Sequence, residues 1–188
     1  MGAMADQQLL TIMNERGVIR FDEPVQLRSG GYSDTFLDGK KALSNGAALR
    51  HACQLMIDAA RADGVAWDAV GGLTMGADHF AHGVALLAER DWFSIRKQPK
   101  GRGTNKWVEG GSIGPGTRVY LVDDVVTTGG SIQEAYLRVT ELGAEVVYAA
   151  TMADRGEVAA EFFAVRDIPY LPLLTYRDLG IAPVERTE

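Results

Sequence analysis

The apolar positions along the chain follow two different periods. Over residues 5–16, Leu9, Leu10, Ile12 and Met13 build one helical face, and Gly17 supplies a C-terminal stop. A longer helix is predicted from an N-cap at Ser44 to about Arg61, because Leu49, Cys53, Met56, Ile57 and Ala60 recur at helical spacing. Between these helices the pattern is weaker. Residues 19–27, interrupted by Pro24, make at best a strand or hairpin arm, and after the Gly30-Gly31 turn only residues 35–38 read as extended.

From Ala69 onward, short apolar runs alternate with amphipathic stretches. Strands are predicted at 69–73, 92–95, 119–122, 145–152 and 170–174, and helices at 78–89, 131–142 and 157–165. That alternation predicts right-handed βαβ units, hence an α/β fold with a mostly parallel central sheet flanked by helices. No repeat, low-complexity tract or linker interrupts the chain, so residues 4–188 are expected to form one domain, and Met1-Gly2-Ala3 reads as an expression scar. In such sheets ligands bind beyond the carboxyl ends of the strands, which directs attention to the loops that follow them.

Composition narrows the function classes. With 188 residues, 46% of them hydrophobic and 23% charged, the chain has material for a proper core. Its apolar runs fall well short of a membrane span, and its start lacks the basic-then-apolar layout of a secretory signal, so a soluble cytoplasmic protein is expected. Cys53 is the lone cysteine and cannot make an internal disulfide; its helical surroundings make it a buried structural thiol. The formal net charge of −6 argues against nucleic acid and anionic lipid as partners. One segment runs against that average: between Asp91 and Glu109 there is no acid, yet Arg96, Lys97, Lys100, Arg102 and Lys106 fall there. A local anion site is expected in that loop.

The stretch from Val119 to Ser131 carries the most chemistry. Four apolar residues deliver Asp123 and Asp124 to the end of a strand; Thr127, Thr128, Gly129, Gly130 and Ser131 then make a turn into a helix, with Ser131 and Glu134 spaced as a capping box. Free amides at a helix N-terminus flanked by hydroxyls hold phosphate. No lysine of Walker type follows the glycines, which disfavours a nucleotide triphosphatase. Paired acids beside a phosphate cradle suit a sugar phosphate, with the carboxylates accepting from its hydroxyls. Other candidates are weaker. His79 and His82 lie three apart without a third ligand at suitable spacing, Trp67, Trp92 and Trp107 form no basic stacking platform, and Gly110 to Gly116 has neither a strand before it nor a helix after it.

The run from Val122 to Ser131 resembles the phosphoribosyl pyrophosphate motif of type I phosphoribosyltransferases. Further segments are similar to the orotate phosphoribosyltransferases: residues 93–103 with Glu109-Gly110 resemble that family's catalytic loop, Arg28-Ser29-Gly30 with Ser33 and Phe36 its segment over the base, residues 71–78 its pyrophosphate loop, and Asp154-Arg155 the pair whose arginine contacts the orotate carboxylate. The chain departs from that pattern at Arg102, where the family has histidine, at Gly76, where many members have lysine, and at Asp34, Leu37 and His79.

The resemblance implies a type I phosphoribosyltransferase fold with a small N-terminal hood, from about residues 17–40 plus C-terminal residues. It further implies Mg²⁺-dependent transfer of the 5-phosphoribosyl group from phosphoribosyl pyrophosphate to orotate, giving orotidine 5-monophosphate and pyrophosphate. Asp123 and Asp124 would then hold the ribose 2- and 3-hydroxyls and, through water, the metal, and Thr127 to Ser131 the 5-phosphate. Lys97, Lys100 and Arg102 would clamp the pyrophosphate beside Arg96, and Arg28, Phe36 and Arg155 would meet the base. A homodimer is expected, with the loop at about 98–108 serving the neighbouring subunit. The alternatives are transfer to another base or aromatic acid, and a regulator that binds the phosphoribosyl group without turnover.

Overall fold

The computed structural model describes residues 5–26, 32–99 and 107–184. The chain begins with α1 (Gln7–Arg16), β1 (Val18–Gln26), β2 (Tyr32–Leu37), α2 (Gly39–Ala42) and α3 (Gly46–Ala62). It continues through β3 (Ala69–Leu73), α4 (Asp78–Ala88), β4 (Asp91–Ile95), β5 (Val108–Gly110) and β6 (Arg118–Val126). It closes with α5 (Gly130–Glu141), β7 (Glu145–Asp154), α6 (Val158–Ala164) and β8 (Tyr170–Thr175).

Six strands form the central sheet in the order β5-β4-β3-β6-β7-β8. All neighbours pair in parallel except β4 and β5, as the alternation of strands and helices requires. Side chains alternate across β6: Tyr120 and Val122 join the core under α1, α3 and α4, whereas Val119 and Leu121 join the core under α5 and α6. The same period then sends Asp123 toward α5 and Asp124 toward α2. Cys53 is buried and its thiol is pushed up to about 12 by desolvation, in keeping with a structural role.

Several boundaries differ from the sequence reading. The N-cap of α3 is Asn45, not Ser44; its side chain accepts from the N–H groups of Ala47 and Ala48. The weak segment around Pro24 is a nine-residue strand, β1, paired with the six residues of β2 in a separate two-stranded sheet. An irregularity in register between Arg20 and Val25 accommodates Pro24, which has no N–H to donate. Gly110, read as lacking a strand in front, closes β5, whose three residues pair with β4. And β6 does not stop at Val122: it runs on to Val126, so the paired acids sit inside the strand.

Candidate functional site

At the carboxyl end of β6 lies a cavity of about 550 Å³. Asp123, Thr127, Thr128, Gly129, Gly130 and Ser131 line it from β6 and the following turn, and Lys97 lines it from the segment after β4. Gly129 turns the chain with φ +76, a left-handed conformation that side chains disfavour, and α5 starts at the next residue. No side chain caps that helix, so the Ser131–Glu134 capping box expected from spacing is not formed. Its first amides are left to a ligand, and the helix dipole favours an anion there. Ser131→Ala is therefore expected to change the melting temperature by less than about 2 °C, since no cap is lost, while weakening binding of a phosphorylated sugar about fivefold; calorimetric titration alongside thermal unfolding checks both.

The two acids occupy different environments. Asp123 is buried, and desolvation together with the neighbouring Asp124 charge pushes its carboxyl up to about 8. Its Oδ1 accepts from the Asp124 N–H at 2.9 Å, and Asp124 Oδ1 accepts from the Val125 N–H at 2.7 Å. On the opposite side of the sheet Lys40 of α2 donates from Nζ to Asp124 Oδ2. Lys40 is a contact the sequence reading missed, because 84 residues separate the partners and nothing local marks the pair.

Gly76 lies against both carboxylates. A Cβ there would stand 2.4 Å from Asp123 Oδ1 and 2.8 Å from Asp124 Oδ1, so the loop after β3 approaches this closely only with glycine. A lysine at this position, which the resemblance would allow, meets both carboxylates in this arrangement.

The remaining expected residues are spread more widely. Arg96 is half-buried and bonded across the β4–β5 ribbon, from Nη1 to Glu109 Oε1 at 3.3 Å and from Nε to the Gln98 carbonyl at 3.2 Å; it is not among the residues lining the cavity. Phe36 is exposed on β2. Arg28, Lys100 and Arg102 lie outside the described residues. Arg155 is 1% exposed, and its Nη1 donates to the Thr35 carbonyl at 2.7 Å while its Nη2 donates to Ser33 Oγ at 3.0 Å and the Ala182 carbonyl at 3.3 Å. It thus ties β7 to the hood strand β2 and to the C-terminal segment. Its partners there are all neutral, and its Nε, buried as well, has none among the described residues.

The histidines pack rather than converge. The His79 ring lies 4.3 Å from that of Phe80, and the His82 ring meets Trp92 edge-on at 4.5 Å. His51 is part-buried and pairs with Asp6, joining α3 to the start of α1 at 2.8 Å.

Comparison with known proteins follows the same geometry. Residues 40–161 match the model of the phosphoribosyl transferase domain family. The chain is 35% identical over 173 residues to the orotate phosphoribosyltransferase of Pyrococcus abyssi, covering 92% of this chain and 94% of that one. It is 37% identical over 183 residues to that of Corynebacterium glutamicum, covering 95% and 96%. Among solved structures it is similar to Mycobacterium tuberculosis H37Rv orotate phosphoribosyltransferase in complex with Fe(III) dicitrate, with TM-score 0.77, 32% identity and coverage of 93% and 98%. The same enzyme in complex with 5-phospho-alpha-D-ribosyl 1-diphosphate superposes with TM-score 0.74 at 31% identity over 93% of this chain and 98% of that one.

Proposed function

The chain belongs to the orotate phosphoribosyltransferases of the phosphoribosyl transferase family, and from that premise we propose how its residues divide the work of transferring a phosphoribosyl group to orotate. The observation that carries the reading is the single cavity in which a buried carboxylate, an uncapped helix N-terminus and Lys97 meet. The amides and hydroxyls of Thr127 to Ser131 hold the 5-phosphate. Asp123 and Asp124 accept from the ribose hydroxyls and fix the ring so that C1 faces the base. The bond from C1 to the pyrophosphate oxygen breaks as the bond to the base nitrogen forms, the proton of that nitrogen is released to water or to the departing pyrophosphate, and negative charge grows on the leaving group. Lys97, joined by Lys100 and Arg102, stabilises that charge, with Arg96 beside them.

On the acceptor side, Arg155 sets a positive field for the carboxylate of orotate, with Arg28 and Phe36 over the base. Arg155 is 1% exposed, does not line the cavity and has only neutral hydrogen-bond partners, so in this arrangement it would act through its charge rather than by contact.

Mg²⁺ fits the donor set. The described residues contain no cluster of three or more His, Cys, Asp or Glu able to cage an ion; the two hard carboxylates, Asp123 and Asp124, would hold a hydrated ion through water. When bound it supplies positive charge to the pyrophosphate. The working unit is a homodimer in which the loop at about 98–108 of one copy, anchored in its own chain at Arg96 and Trp107, serves the other's pocket from its tip, and the site of action is the cytoplasm. No described helix is long and apolar enough to cross a membrane.

The test follows orotate consumption by absorbance with phosphoribosyl pyrophosphate and Mg²⁺ together and with each omitted in turn. Signal is expected only in the complete mixture, and Lys97→Ala is expected to lower kcat/KM about 100-fold. Turnover that is indifferent to Lys97, or absent from the complete mixture, would sink the assignment.

A further inference from the structure

Lys97 is exposed on a chain segment that has just left the sheet, yet the chemistry above needs its ammonium at a fixed place in the cavity. An exposed lysine with four rotatable side-chain bonds keeps its place only if its backbone is held. The ladder between β4 and β5 runs to Ile95 and Val108, and one more bond, from the Arg96 N–H to the Trp107 carbonyl at 2.8 Å, closes its end. Lys97 is the next residue. Three residues of β5 and one further bond are a slender tether for a charge that must meet a phosphate.

A second tether is present. The Trp107 ring lies under the Arg138 guanidinium, with the Arg138 Cζ 3.9 Å from the ring centroid. Arg138 belongs to α5, the helix whose first residues line the phosphate end of the cavity. Its guanidinium face covers the indole while Nη1 donates to Glu141 Oε2 at 3.0 Å. A planar cation held on both its face and its edge loses little freedom when it stacks.

We infer that the Arg138–Trp107 stack is a clasp that positions Lys97 against the phosphate-binding end of α5. It joins the ribbon that carries the cation to the helix that carries the anion site, so that the two halves of the anion-binding surface move as one piece. Arg138 acts through Lys97 and touches no substrate; it is a positioning residue. The inference rests on the phosphoribosyl-transfer reading, because it assigns the clasp to the pyrophosphate side of that reaction.

The experiment measures binding of phosphoribosyl pyrophosphate by calorimetry, with Mg²⁺ and without orotate, together with kcat and both KM values. Arg138→Ala is expected to weaken binding about three- to tenfold, to leave the KM for orotate unchanged and to shift the melting temperature by less than about 2 °C. Trp107→Ala should reproduce this, and Arg138→Lys, which keeps a cation over the ring, should restore most of it. In a Lys97→Ala background Arg138→Ala should add nothing. Equal losses in the two backgrounds, or no loss in the first, would overturn the clasp. Tight binding of phosphoribosyl pyrophosphate by a protein that leaves orotate untouched would overturn the acceptor and leave this comparison intact.

Discussion

Asp123→Asn is expected to lower kcat/KM about 100-fold and, at the same time, to make the protein more stable at alkaline pH. The loss follows from chemistry: above about pH 8, where the free protein ionises this group, the carboxylate accepts from a ribose hydroxyl more strongly than an amide oxygen does, and the amide has no charge to offer at any pH. The gain follows from burial. Desolvation and Asp124 raise the Asp123 carboxyl from the ordinary 3.8 to about 8, so across that interval the folded chain keeps a proton that the unfolded chain has released. Stability therefore falls as pH rises from about 4 to about 8, and the penalty is complete above that range. Asparagine has no proton to lose. The variant and the parent should unfold alike near pH 4, and by pH 8.5 the variant should be the more stable of the two in urea denaturation. A variant less stable than its parent at pH 8.5 would show that the acid pair supports the fold instead of straining it.

The second large effect has no catalytic part. Gly72→Ala should abolish the native fold or cost about 3 kcal/mol or more, read as the urea midpoint or as loss of soluble protein. Strand β3 is buried along its whole length, with β4 on one side and β6 on the other. A Cβ on Gly72 would stand 2.3 Å from the Val122 carbonyl oxygen and 2.7 Å from the Ala77 Cβ. The nearest obstacle is the backbone of β6 just before the acid pair, and it cannot rotate away as a side-chain tip would. Unchanged unfolding of Gly72→Ala would mean that β3 and β6 are not packed as described.

Much of the site was legible before any coordinates, for reasons visible in single residues. The strand-turn-helix from Val119 to Ser131 is written in adjacent positions: four apolar residues need burial on both faces, Gly129 allows the left-handed turn, and the helix follows. The capping box was misread because spacing shows that Ser131 and Glu134 can reach each other and not whether they do. The short strand β5 stayed hidden because three residues carry no readable period; it is a strand only because the edge of β4 offers Phe93, Ser94 and Ile95 as partners. Arg155 was singled out by its motif. Its role as a brace between β7, β2 and Ala182 depends on residues up to 122 positions away.

The sequence by itself determined what is periodic or contiguous: the alternation that makes a parallel α/β sheet, the glycine turn into α5, the paired acids and the cationic segment near Lys97. Local propensity and hydrophobic period act over a few residues, so they leave their mark in the order of the letters. Tertiary structure decided the rest: that Lys40 of α2 pairs with Asp124, that the Gly76 backbone packs against both carboxylates, and that Trp107 rests under Arg138. Such contacts join positions far apart along the chain, and their energies exist only once the sheet has brought both partners to the same place.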